Sequence, residues 1–211
     1  MTEAPINRLE RRKQRTRMAL IKAAQSMIAA GKLNVPVLEI TQAADVGMGS
    51  FYNHFQSKEE LFEAAVGDVL DSHGAVLDEL TADIEDPAAV FACSFRLTGR
   101  FFRERPQESR ILLDNAGALL SSDRGLAPRA MRDINAGIAG GRFHVDDPEL
   151  ALSVAAGALL GLGYLLQARP DRDAGATADA VTVDVLRLFG MSAADARKIC
   201  SLPLPDMAFQ E

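Results

Sequence analysis

Proline, glycine and capping residues cut this chain into nine or ten stretches whose apolar residues recur at helical spacing, and none reads convincingly as a strand. The pattern predicts an all-α protein. A first helix over 8–30 has Leu20, Ile21, Ala24, Met27 and Ile28 as its apolar stripe and Gly31 as its stop. A short second helix has Pro36 in its first turn, with Val37, Ile40 and Ala44 inward. A third spans roughly 48–55. The long fourth opens on a capping box, Ser57-Lys58-Glu59-Glu60, and carries Leu61, Phe62, Ala65, Val66, Val69, Leu70, His73 and Leu77 at helical spacing. A fifth begins at Pro87 and ends before Pro106. Five more are expected near 107–120, 128–139, 148–167, 176–189 and 193–201, with loops at Gly140-Gly141 and 169–175.

Charge divides the same chain in two. Residues 1–58 carry nine Lys/Arg against four Asp/Glu, a net +5, while the rest carries fourteen against twenty-five, a net −11. The split suggests an anion-binding head on an acidic body, although chance clustering at a solvated terminus gives the same numbers. The N-terminus is charged and has no apolar core, so no secretory signal is expected. Cys93 and Cys200 lie far apart without metal-ligand spacing. They read as reduced, partly buried thiols, and the expected location is the cytoplasm. Residues 150–166 are uncharged and include Gly157-xxx-Gly161, which fits either a short membrane span or a helix buried in a protein or subunit interface.

The third helix has two unlike sides. At about 100° per residue, Phe51 and Phe55 fall on one side, where they can pack on Ile21, Ile40 and Leu61. Gly49, Ser50 and Asn53 occupy the other, a small polar side that can approach a groove floor closely. Asn53 suits bidentate adenine recognition, and Ser50 can serve several bases. Tyr52 and His54 flank Asn53 and point toward the phosphate walls, or form a solvated rim. The turn Asp45-Val46-Gly47 requires a left-handed residue, which Asp tolerates, and Gly47 caps the third helix weakly. Lys58, in the first turn of the fourth helix, is either a plain exposed lysine or an ammonium joined to free amides at a phosphate. Arg8, Arg11, Arg12, Lys13, Arg15 and Arg17 supply non-specific attraction to a polyanion.

At these residues the chain resembles the TetR family of bacterial transcriptional regulators. The family's approximate pattern, I-A-x-x-A-G-V-S-x-G-T-L-Y-x-H-F-x-S-K-E-x-L, aligns without a gap from Ile40 to Leu61. It matches at Ile40, Ala44, Val46, Gly49, Tyr52, His54, Phe55, Ser57, Lys58, Glu59 and Leu61. Departures are Asp45 for the usual turn glycine, Gly47 for serine, Met48 at a position often polar, and Pro36 where a capping threonine often meets phosphate. The resemblance implies a helix-turn-helix DNA-binding domain over 1–56, with a basic arm over 1–17, and a helical regulatory and dimerisation domain over 57–211. It also implies DNA contacts at Met48, Gly49, Ser50, Tyr52, Asn53, His54 and Lys58, and a homodimer on a palindromic double-stranded operator. Repression released by a small-molecule effector is the family's usual mode.

By the same resemblance the dimer interface is a four-helix arrangement built on 150–166 and 181–189. Ala151, Ala155, Gly157, Ala158 and Gly161 permit close approach, Val154, Leu162 and Leu165 fill the seam, and Val181 and Val185 come from the second helix. Phe91, Phe95, Thr98 and Phe102 form a stripe on the fifth helix that reads as core or as one wall of an effector cavity, with Leu112, Leu113, Met131 and Ile134 opposite. Arg96 and Arg100 either meet an anionic ligand or face water. An enzyme reading finds little support. Histidines stand only at 54, 73 and 144 with no metal-ligand pair at helical spacing, and Gly161-Leu-Gly163 lacks the strand and third glycine of a dinucleotide site. No metal, no cofactor and no membrane partner are expected. The alternatives to an effector-controlled repressor are a DNA-binding protein without inducer and a regulator anchored in membrane by 150–166.

Overall fold

The computed structural model describes residues 8–115, 117 and 125–205, which form ten helices and no strand. They are α1 (Arg8–Ala29), α2 (Val37–Ala43), α3 (Met48–Tyr52), α4 (Lys58–Thr81), α5 (Pro87–Glu104), α6 (Pro106–Asp114), α7 (Leu126–Ala139), α8 (Pro148–Ala168), α9 (Ala174–Leu188) and α10 (Ala193–Cys200). The chain is all-α as the spacing predicts. The expected helix over 107–120 begins at Pro106 and closes at Asp114; its remaining positions 116 and 118–120 lie outside the described residues, as do 1–7 of the basic arm. The backbone groups into two compact units, Met1–Asp68 and Val69–Glu211. The division falls inside α4, because the first turns of that helix bury Leu61 and Ala65 in the first unit.

In the first unit, Leu20, Ile21, Ala24, Met27 and Ile28 of α1, Ile40 of α2, Phe51 and Phe55 are all buried. Gly31 stops α1 in the left-handed region, at φ 71°. Pro36 stands just outside α2 as its cap residue, with extended ψ, so it precedes the first turn and does not occupy it. Gln25 Nε2 ties α1 to α4 through Asp68 Oδ2 at 2.9 Å and the Ala65 carbonyl at 3.2 Å.

The second unit is arranged around α5. Twelve of its residues are buried, so it is walled on nearly every side. Asp86 caps it by accepting from the Ala88 N–H, and Arg142 forks the same carboxylate at 3.0 Å through Nε and 3.0 Å through its terminal nitrogen. The rings of Phe91, Phe143 and Phe189 meet at centroid distances of 5.1 to 5.9 Å. Arg96 and Arg100 neither await an anion nor face water. Both grip Asp179 of α9, Arg96 through Nε at 2.8 Å and Arg100 at 2.8 and 3.0 Å, and Arg96 also donates to the Leu202 carbonyl. A carboxylate placed opposite both guanidiniums removes the cost of leaving them buried and unpaired.

Helix α8 is long and apolar enough to cross a membrane, with mean hydropathy 1.7 over its most apolar stretch. Only 28% of that stretch is buried within the chain, and the buried part is one face. Ala151, Ala155, Leu162 and Leu166 enter the core beside Phe91 and Phe95, whereas Leu150, Val154, Gly157, Gly161, Tyr164 and Leu165 stay exposed.

One buried polar group links α4 to α5. His73 is 3% exposed, and its Nε2 lies 3.0 Å from Thr98 Oγ1. The Thr98 hydroxyl donates to the Ser94 carbonyl at 2.8 Å, so it accepts from His73, and Nε2 carries the imidazole proton. Burial lowers the His73 pKa from 6.5 to about 4. Between those values the unfolded chain binds a proton that the folded chain refuses. Stability is therefore full above pH 6.5 and falls as pH drops through the window, by roughly 3 kcal/mol at pH 4. Urea unfolding of His73→Leu and wild type at pH 7 and pH 4.5 should show the variant losing markedly less stability on acidification; equal losses would remove His73 from the acid response.

Candidate nucleic-acid interface and effector cavity

The turn between α2 and α3 is set by hydrogen bonding. The Asp45 N–H donates to the Gln42 carbonyl at 3.2 Å and the Val46 N–H to the Thr41 carbonyl at 3.0 Å, which closes α2 in a Schellman motif. That motif needs a left-handed residue after the cap. Asp45 supplies it at φ 53°, the one non-glycine residue with positive φ among the described residues. Gly47 then starts α3 with no side-chain cap, as expected.

Helix α3 ends earlier than the sequence suggests. Asn53 is its cap, and the His54 and Phe55 N–H groups both turn back to the Phe51 carbonyl at 2.9 and 3.0 Å. Phe51 and Phe55 are 0% and 2% exposed. With both rings inward, Met48, Gly49, Tyr52 and Asn53 face outward, and Ser50 and His54 are half-buried. Nothing lies within 4 Å of where a side chain on Gly49 would begin, so this side is open. Tyr52, 62% exposed, is held edge-on to Phe51 at 5.1 Å.

Burial, then Lys13 and Arg17, push the His54 imidazole below its usual pKa and so toward the neutral form. Lys13 and Arg17 of α1 are therefore close enough to His54 to act on its charge, and Arg17 lies over the Phe55 ring at 5.0 Å. In the sequence alone these two carry no more weight than the other basic residues of the arm.

Lys58 sits differently from the sharper expectation. Its Nζ is 3.5 Å from Asn34 Oδ1. Two nearby amides already have acceptors, since the Glu60 N–H donates to Ser57 Oγ at 3.1 Å and the Gln56 N–H to Glu60 Oε2 at 2.6 Å. The capping box thus reaches one residue further back than its simplest form. Those two amides are engaged within the protein.

In the second unit two adjoining lobes of about 60 Å3 each open beside α5. They share Phe91, Phe95, Leu126, Ala130 and Leu159 as walls. One lobe is apolar and reaches Ala127, Leu152, Ala155 and Ala156; the other reaches Leu77, Ser94 and Thr98 and ends on Asp78, Arg129, Arg132 and Asp133. Of the residues expected to line a cavity, Phe91, Phe95 and Thr98 do so. Phe102 is not on the walls of these two lobes; it packs near Gly163 and Leu113 in the core. Leu112 is buried away from both lobes, and Met131 is turned off the α7 face formed by Leu126, Ala130 and Asp133.

The polar end of the cavity is a run of charges. Arg129 Nε lies 2.6 Å from Asp78 Oδ2, and Arg132 bridges Asp78 Oδ1 and Asp133 Oδ1 at 2.8 Å each. Burial raises the Asp133 pKa against the pull of Arg132.

Residues 20–65 match the model for bacterial regulatory proteins of the tetR family, and residues 86–202, more than half of the chain, match the tetracyclin repressor-like C-terminal domain. The chain belongs to the TetR family of transcriptional regulators. A crystal structure of RolR without ligand is 34% identical, covering 90% of this chain and 98% of its own, with a TM-score of 0.75. RolR solved with resorcinol is 32% identical, covering 94% and 100%, with a TM-score of 0.66. NalD of Pseudomonas aeruginosa, the secondary repressor of the MexAB-OprM multidrug efflux pump, shares the fold at 20% identity, covering 83% and 96%, with a TM-score of 0.63. No curated protein sequence matches significantly.

In this TetR-family chain the expected interface residues of α8 and α9 divide. Ala151, Ala155, Leu162 and Val185 are buried in the chain's own core and are closed to a partner. Val154, Gly157, Gly161 and Leu165 are exposed, while Ala158 and Val181 are half-buried. Sequence reasoning missed Asp78, Arg129, Arg132 and Asp133, because charged residues read as surface until the fold brings them to one cavity.

The outward side of α3 yields a direct test. Tyr52→Phe and His54→Ala should each weaken binding to operator DNA at matched salt, by about tenfold, without lowering thermal stability. Asn53→Ala should relax the preference at one base pair per half-site by about 1–3 kcal/mol. A selected sequence profile identical to wild type would take base reading away from Asn53.

Proposed function

We propose that this regulator is an effector-controlled repressor that binds a palindromic operator as a homodimer and releases it when a small molecule fills the cavity beside α5. The observation that carries the reading is the outward side of α3: open Gly49, exposed Asn53 and half-buried Ser50, backed by buried Phe51 and Phe55. A small polar surface on a firm apolar backing suits a major groove, with Ser50 and Asn53 at base edges and Met48 and Gly49 on the groove floor. Tyr52, His54 and Lys58 serve the phosphates, with Lys13 and Arg17 alongside.

The homodimer is supported by the exposed apolar face of α8. Leu150, Val154, Tyr164 and Leu165 surround Gly157 and Gly161, and nothing lies within 4 Å of a side chain placed on either glycine. A second helix can approach such a face closely, and apolar area of this kind is costly in water. A lipid anchor is the weaker account, since the inward half of the same helix is already committed to the core.

The effector is read from the cavity walls. Aromatic and aliphatic sides suit a compact apolar body, and the Asp78–Arg129–Arg132–Asp133 end suits hydroxyl groups that both donate and accept. RolR was solved with resorcinol, a single ring with two hydroxyls, which supports the same size and polarity here. The two lobes are smaller than the ~150 Å3 cavity that admits benzene in a packed core, so an occupant has to part the walls. Leu77 and Asp78 are wall residues on α4, the helix that begins in the DNA-binding unit, so parting the walls biases the helix leading to α3.

Random-oligonucleotide selection with purified protein should enrich a two-fold symmetric sequence, and resorcinol added to that complex should lower its affinity. Absence of any symmetric enrichment sinks the reading. Gly157→Glu should convert dimers to monomers in sedimentation velocity and reduce operator affinity by roughly a hundredfold; dimers that persist with full affinity would move the interface elsewhere.

A further inference from the structure

The polar lobe of the cavity shares Asp78, Arg132 and Asp133 with a wider vestibule of about 390 Å3 outside α4 and α7. These three residues therefore stand between the lobe and the vestibule. The partition is firm on one side and loose on the other. The Asp133 side chain is 7% exposed. Arg129 is pinned to Asp78 and to the Gly125 carbonyl at 2.6 and 2.7 Å, and its guanidinium fills the space that a side chain on Gly74 would need. The Arg132 side chain, by contrast, is 55% exposed, and its partner Asp78 is 36% exposed. The Arg132–Asp78 pair is screened by water and is the weaker hold, whereas the pair to the buried Asp133 is the stronger. A long, half-exposed side chain between the lobe and the vestibule can swing aside without disturbing the helices. Once it does, the vestibule presents Asp78, Asp133 and Glu85, three carboxylates of which Asp78 keeps its bond to Arg129.

We propose that Arg132 gates access to the cavity from this vestibule, and that the acidic walls admit uncharged and cationic compounds while turning anions away. The proposal takes the cavity to be the effector site, but its test needs no effector. A thiol is placed on the wall shared by both lobes, as Ala130→Cys, and its labelling is followed with three methanethiosulfonates: methyl (uncharged), aminoethyl (cationic) and sulfonatoethyl (anionic). In each case the thiolate attacks the reagent's sulfenyl sulfur, a mixed disulfide forms, and methanesulfinate leaves. The uncharged and cationic reagents should react about tenfold faster than the anionic one, and Glu85→Gln should narrow that gap. Arg132→Ala in the same background should raise the rate with the methyl reagent about tenfold, because the side chain standing between lobe and vestibule is gone.

An unchanged methyl rate in Arg132→Ala overturns the gate, and equal rates for the three reagents overturn the charge filter. Cys93 and Cys200 are buried and serve as internal controls; acceleration that they share is unfolding and counts against the gate. Labelling that behaves as expected, in a protein that no small molecule releases from operator, would keep the gate and remove the effector reading.

Discussion

Phe51 and Phe55 stand four residues apart, and burying both fixes the orientation of the five-residue helix between α2 and α4. So short a helix has little stability of its own and holds its place by what it buries. With both rings buried, as Leu20, Ile21, Ile40 and Leu61 of the same unit are, the residues between them have no choice of direction. The outward position of Gly49 and Asn53 follows from this anchoring, as does the lean of Tyr52 against Phe51. The Asp45 turn contributes the other half of the constraint by setting the angle at which α3 leaves α2.

The DNA-reading unit was largely legible in the sequence because its signals are local. A left-handed turn residue, two aromatics at helical spacing and a serine-led cap each announce themselves within a few positions. The body was less legible. Every side of α8 carries Ala, Gly or Leu, so its sequence cannot say that 151, 155 and 162 turn inward while 154, 157 and 161 turn outward. That choice is made by α5, α7 and α9, which pack against one side of α8 and leave the other. The cavity was half visible for a related reason. The α5 stripe predicted Phe91, Phe95 and Thr98, but the opposing wall comes from small residues, Ala127 and Ala130, and from charges that pair only across helices.

Buried polarity in this body is concentrated where helices meet. Asp179 joins α5 to α9 through two arginines, and Asp78 joins α4 to α7 through two others. The two sets differ in exposure. Arg96 is 6% exposed and carries a further bond to the Leu202 carbonyl, so the Asp179 cluster behaves as a rivet. The Asp78 cluster borders a cavity and contains one half-exposed arginine, so it can change partners. His73 and Thr98 add a neutral bond between α4 and α5 at the edge of the same cavity.

The glycines mark where the helices of the body touch most closely. A side chain on Gly99 would meet Ala178 of α9 at 2.5 Å and Leu162 of α8 at 3.0 Å, so α5, α8 and α9 touch backbone to side chain with no slack. A side chain on Gly137 of α7 would run into the Phe143 ring, which packs on Phe91 of α5, so α7 is held to the same core. Gly125 lies as tightly against Leu70, and Gly74 against Arg129. The hollow space is left between these crossings, so an occupant meets side chains that can turn while the crossings themselves have no room to close further.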